Sequence, residues 1–152
     1  MIFKSAVAIG TCLVLMACGP ERAAVYFSSG SGHIPGFEYE SDVFSDSWGG
    51  TISMYPLDAG GKRIAADARV IGVDRNGSGQ WTELDFCGSE KLSGEPTSGC
   101  DVARYQPSYG SWLYVSCDAG RCDGSKPVFM SPTTMQPAID KLNAARSAMQ
   151  HI

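Results

Sequence analysis

The sequence predicts a mainly β domain: a small antiparallel sandwich or barrel, stapled by disulfides and finished by one C-terminal α-helix. Three observations carry that expectation. Six short stretches rich in β-branched and aromatic residues, "GGTISMYPLD", "ADARVIGVD", "QWTELDF", "DVARYQ", "SWLYVS" and "PVFM", are separated by clusters of Gly, Pro, Asp, Asn and Ser, the pattern of strands and turns. Cys87, Cys100, Cys117 and Cys122 sit at or beside the ends of those stretches. After Pro132 the apolar period lengthens from two residues to that of a helix.

The chain opens "MIFKSAVAIGTCLVLMACGP". Lys4 precedes an apolar run from Ser5 to Met16, which is shorter than the roughly 20 residues a membrane-spanning helix needs. Residues 1–17 therefore read as an export leader, outside the folded domain. Leu15-Met16-Ala17-Cys18 resembles the lipobox of bacterial lipoproteins. The resemblance implies that Cys18 is lipidated and becomes the first mature residue, anchored to the membrane through acyl chains. Gly19 stands where Asp would retain the protein at the inner membrane. In a Gram-negative cell the resemblance therefore implies the outer membrane, with the domain facing the periplasm.

Residues 18–36, with "SSGSGHIPG", read as a flexible tether in which His33 is solvated. A single domain is expected over 37–152. Its first segment, "FEYESDVFSDSW", carries four acidic and four aromatic residues. It reads either as a half-buried edge strand or as a recognition surface for a basic partner.

Removing the leader also removes Lys4 and takes the net charge from −4 to −5. That balance argues against nucleic acid and against a polybasic membrane contact.

The four remaining cysteines, in an oxidising compartment, form a disulfide framework rather than a zinc site, which needs closer pairs and usually histidines. "WTELDFC" and "CDVARY" flank a polar loop that a Cys87–Cys100 bond closes. "DAGRCDG" between "WLYVSC" and "KPVFM" has hairpin chemistry, placing Cys117 opposite Cys122. The chain entropy removed is worth about 3 and about 2 kcal/mol for the two loops. Crossed pairing stays open at this point.

In the tail, Ile139, Leu142, Ala145, Met149 and Ile152 share one helical face over about 135–150. Thr133 or Thr134 is the expected cap, with Pro137 in the first turn. The stripe is expected to pack on the sheet.

One motif has metal chemistry in it. "DRNGSGQWTELD" runs from Asp74 to Asp85 and resembles the twelve-residue calcium loop of EF-hand and dockerin-like proteins. The resemblance implies side-chain ligands from Asp74, Asn76, Ser78 and Asp85, a backbone carbonyl from Gln80, and a water-mediated role for Thr82. The competing reading is a plain hairpin turn, which also favours Asp, Asn and Gly. The turn is the expectation and no cofactor is expected, with calcium as the alternative.

Catalysis has little to draw on. The nucleophile, zinc and phosphate-loop motifs are missing, and the histidines are His33 and His151. No enzyme is expected. The expected class is a membrane-anchored envelope module that binds a protein partner. By analogy of build and place, it is an inhibitor or immunity lipoprotein acting on a cell-wall-degrading enzyme. A structural accessory of a secretion or assembly complex is the alternative, and a calcium-binding envelope protein a second.

Overall fold

Apolar and polar residues alternate along the strands, and the alternation decides which face each side chain takes. In β3 (Gly50–Pro56), Ile52 and Met54 are buried while Thr51 and Ser53, which alternate with them, are not. The structure is a computed structural model and describes residues 27–93, 98–119, 121–122 and 126–150. The other strands are β1 (Gly30–Ile34), β2 (Phe37–Val43), β4 (Arg69–Asp74), β5 (Glu83–Cys87), β6 (Cys100–Gln106), β7 (Ser111–Val115) and β8 (Val128–Met130). All eight form one antiparallel sheet in chain order, with β1 and β8 at its edges.

The helix α1 (Pro132–Gln150) covers one face and touches β1, β3, β4 and β7. One helix is only about 10–12 Å across, so a sheet that meets it at both β1 and β7 must curl around it. The core lies in that curl: Phe27, Tyr39, Ile52, Met54, Leu84, Phe86 and Trp112 from the strand side, Met135, Leu142, Ala145 and Met149 from the helix. The mainly β class, the antiparallel order, the C-terminal helix and both disulfides match the expectation from sequence. The layering is a single open sheet, because the helix supplies the apolar cover that a second sheet would otherwise provide.

Two boundaries differ from expectation. The tether assigned to 18–36 is already part of the fold from Phe27, which is 2% exposed in the core. Residues 30–34 pair with β2, and His33 lies exposed in that strand opposite Glu38. Glycine hides this strand from composition but makes it possible. A Cβ on Gly32 would come within 2.5 Å of the Tyr39 hydroxyl, so bare backbone there lets the buried Tyr39 lie across β1. The Pro35–Gly36 turn, with Gly36 at φ 81°, has the residues a type II turn requires. As a result β2 lies inside the sheet rather than at its edge. Residues 1–26, including Cys18 and the leader, lie outside the described residues.

The helix starts at Pro132, earlier than the expected 135. Ser131 is the cap: its Oγ accepts the Thr134 N–H at 3.3 Å, and Pro132 takes the first helical position, where its missing N–H costs nothing. Pro137 consequently sits inside the helix rather than in the first turn. The Thr133 carbonyl that loses its intrahelical partner belongs to an exposed residue, open to water. Ile152 lies outside the described residues.

Helix and sheet approach closely at Gly72 in β4, where a Cβ would stand 2.7 Å from Leu142 Cδ1 and 3.0 Å from the Trp81 ring. Gly72→Val overfills that contact and is expected to destabilise the domain by about 1–3 kcal/mol. The midpoint of urea unfolding measures it; an unchanged midpoint would mean that the helix is free to move away.

Candidate functional site

Both disulfides lie at one end of the sheet. Cys87 and Cys100 are directly opposite in the β5–β6 ladder, joined by an S–S bond of 2.04 Å that closes the segment between them. Cys117 and Cys122 are joined across a turn that also pairs Asp118 with Arg121. The pairing left open by the sequence is therefore the uncrossed one.

The two stapled segments are also tied to each other. Ala119 donates its N–H to the Ser98 carbonyl at 2.7 Å. Beneath them Lys91, 6% exposed, donates from Nζ to the carbonyls of Cys117 at 2.7 Å and Ser98 at 3.2 Å. Its ammonium also stands 3.8 Å from Oδ1 of the fully buried Asp101. The Asp101 carboxylate accepts the Cys117 N–H at 2.8 Å, the Ser93 hydroxyl at 3.0 Å and the Tyr114 hydroxyl. Tyr114 Oη in turn accepts the Leu92 N–H at 3.2 Å. Burial and the bond to Asp101 push the Tyr114 phenol well above its ordinary range. It stays a neutral donor at any physiological pH.

The chemistry of this cluster is clamping. The Lys91 ammonium is engaged by two carbonyls and a carboxylate. What reaches solvent is the rim: Leu92 at 44% exposure, Ser98, Asp118, Ala119 and Arg121. A charge left alone in such a place is expensive, and removing one member of a buried pair typically costs about 3–5 kcal/mol. Lys91→Met is expected to lose that much stability even with both disulfides intact, as read from guanidinium unfolding under oxidising conditions. A loss below 1 kcal/mol would show that the loops hold without the ion pair.

The Asp74–Asp85 segment forms the β4–β5 connection. Asp74 is fully buried; its Oδ1 accepts the Ser78 N–H at 3.1 Å and its Oδ2 the Gly79 N–H at 2.8 Å. Gly77 and Gly79, at φ 68° and 90°, supply the left-handed backbone that wraps the turn around the carboxylate. Arg146 of α1 brings Nη1 to 3.6 Å from Asp74 Oδ2 and donates from Nη2 to the Gly79 carbonyl at 3.0 Å and to Asn143 Oδ1 at 2.9 Å. Its guanidinium lies 4.6 Å over the Trp81 ring, and Trp81 Nε1 donates to the same Asn143 oxygen at 2.9 Å. Burial holds the Arg146 pKa below its ordinary value, with Asp74 opposing.

The residues of the calcium-loop resemblance are not gathered. Asp85 pairs directly with Ile71 and shares its outward face, whereas Asp74, three residues further on in β4, faces the helix. Asn76, Ser78 and Gln80 are exposed on the turn, and Thr82 is engaged with the Val73 carbonyl at 3.0 Å. The cation at Asp74 is the protein's own arginine. Among the described residues no group of three or more His, Cys, Asp or Glu is placed to hold a metal.

Asp85 has its own anomaly. Its Oδ1 is buried with no hydrogen-bond partner, and burial, then the neighbouring Glu83, pushes its pKa from 3.8 up to about 7. The folded chain therefore keeps this proton between about pH 4 and 7, where the unfolded chain has released it. Stability falls as pH rises through that window. The carboxyl is partly exposed, so the effect is set at about 1 kcal/mol. Asp85→Asn is expected to flatten the difference between urea midpoints at pH 5 and pH 8; an unchanged difference would place the titrating group elsewhere.

The acidic–aromatic segment is divided between the fold and its surface. Tyr39 is buried, and Glu38 and Glu40 each bind Arg63 at 2.8 Å, whose guanidinium stacks 3.6 Å over Tyr55. Arg63 holds the Glu38 carboxyl below its usual range. Trp48 keeps 75% of its surface exposed.

Sequence reasoning missed Lys91, Asp101, Tyr114, Asn143 and Arg146. Two of them left a trace. Asp101 alternates with the inward Ala103, and Arg146 follows Leu142 by four residues on the apolar helix face. Comparison with protein-family models, curated proteins and solved structures found no match. Among the described residues no helix is long and apolar enough to cross a membrane.

Proposed function

We propose that this chain is a membrane-anchored lipoprotein of the cell envelope, held by Cys18, whose domain binds another protein through its stapled loops. The observation that carries the reading is that the two disulfide-closed segments are also locked to each other, by the Ala119–Ser98 bond and by Lys91 reaching both. Loops fixed before contact lose little conformational entropy on binding, which suits a surface that must fit one partner closely. In its narrower form the partner is a cell-wall-degrading enzyme and the domain its inhibitor.

A structural accessory role is the second reading. It draws on the β8 edge, which pairs with no second strand among the described residues and where Phe129 and Val128 are more than half exposed and Phe129 packs 5.5 Å from the exposed Tyr109 ring. An uncovered apolar edge is a ready site for strand addition.

Mild detergent extraction of the tagged full chain, followed by mass spectrometry, identifies the partner. Leu92→Ser with Arg121→Ala alters only the rim and leaves both disulfides in place. Under the first reading these loop side chains lie at the centre of the interface, and the variant is expected to weaken partner binding at least about tenfold, because a few central side chains carry most of an interface's energy. Unchanged binding by the rim variant, with loss in Phe129→Ser, would move the interface to the β8 edge.

A further inference from the structure

Antiparallel pairing in chain order sorts the connections between the two ends of the sheet. One end carries the start of β1 and the β2–β3, β4–β5 and β6–β7 connections; the other carries both stapled segments. Phe27, three residues before β1, belongs to the first end. It is buried, and it lines a cleft of about 390 Å³ with Val43, Ser45, Asp46, Ser47 and Trp48 of the β2–β3 loop.

That loop is fastened from behind. The Phe44 N–H donates to the Gly49 carbonyl at 2.9 Å, and Ser47 Oγ donates to the Arg75 carbonyl at 3.0 Å. A Cβ on Gly77 would strike the Trp48 carbonyl, so bare backbone lets the β4–β5 turn press against the loop. The Trp48 ring nevertheless points to solvent, with Val43 exposed close by and Tyr109 exposed on the β6–β7 connection at the same end. The charged residues around the loop, Asp42, Asp46 and Arg75, form no basic patch.

We propose that this end of the domain rests on the bilayer surface, with Trp48, Val43 and Tyr109 seated at headgroup level. The inference rests on the lipid anchor at Cys18. Eight residues, 19–26, separate Cys18 from Phe27, and a chain of that length reaches at most about 30 Å. A domain of this size is about 35 Å across, so the stapled end cannot swing round to the membrane. The chain emerges at Phe27, beside Trp48, and that end faces the lipid. Trp and Tyr rings favour the membrane–water interface, where the ring lies among acyl carbons and its N–H or O–H stays wet. A protein could also use an exposed Trp as an anchor, but it would have to enter the narrow gap beneath so short a tether. In this seating the rim of the stapled loops projects away from the bilayer.

The test uses the full chain, with its intact mass measured, reconstituted into vesicles of phosphatidylethanolamine and phosphatidylglycerol. The acyl chains are either plain or brominated near the headgroup, since bromine quenches an indole it touches. Trp81 and Trp112 lie in the core, so the Trp48 signal is the emission that Trp48→Phe removes. Bromination is expected to lower that signal at least about twofold, as for an interfacial indole. The quenching is expected to persist at about 0.5 M salt, where surface charge is screened. It is also expected to persist after about 20 Gly/Ser residues are inserted behind Ala23, a flexible coil that frees the domain to leave the surface. In that extended chain, Val43→Ser with Tyr109→Ser is expected to reduce the quenching at least about twofold, because each removes apolar surface from the contact. An acylated chain whose Trp48 is not quenched, or an extended chain that loses its quenching, would overturn the contact and leave the anchor standing. A mass without acyl chains on Cys18 would overturn the anchor, and this seating with it.

Discussion

Where Leu142 meets the bare backbone of Gly72, the helix approaches the sheet closely enough to share one core with Met54, Leu84 and Ala103. A single sheet has two faces and, among the described residues, one α-helix to cover one of them. The curl from β1 to β7 and the burial of Phe27 against Trp81, with ring centroids 6.1 Å apart, follow from that close seat. A larger residue at 72 would lift the helix and open each of them together.

The same polar device appears at two strand ends. Asp74, at the end of β4, and Asp101, near the start of β6, are both fully buried carboxylates. Asp74 accepts two backbone N–H groups and Asp101 one, together with two hydroxyls, and each faces one cation from a separate element: Arg146 for the first, Lys91 for the second. Strand pairing stops at these places, and the carboxylates satisfy amides that the ladder no longer reaches. The fold thus fixes its turns from inside, which leaves the outer rims free to vary in chemistry.

Much of this was legible in the sequence. Strands β3 to β8, the helix and the four bonded cysteines follow from period, turn residues and spacing, because each is set by local chemistry. The strand β1 was not legible: "GSGHI" looks like linker, and only Tyr39, distant in sequence, explains why Gly32 must be bare. The helix start was misplaced because Thr133 and Thr134 compete with Ser131 as caps, and only the geometry of Ser131 with Pro132 decides among them. The "DRNGSGQWTELD" segment has the oxygens of a calcium loop, but strand alternation turns Asp85 away from Asp74, and the sequence gives no hint that Arg146 lies opposite. Long-range pairings of charge, such as Lys91 with Asp101, have no local signature at all.

The strict chain order of the sheet bears on how the domain assembles. Every strand finds its partner in the strand just before it, so pairing can advance one hairpin at a time as the chain becomes available. The exception is the closure of the curl, which needs the last nineteen-residue helix to reach back to β1. Until that segment arrives, the growing sheet carries its whole apolar face uncovered. The most vulnerable moment in this protein's life is therefore the interval between completing β8 and seating α1, and a chain cut short before residue 132 would never leave it.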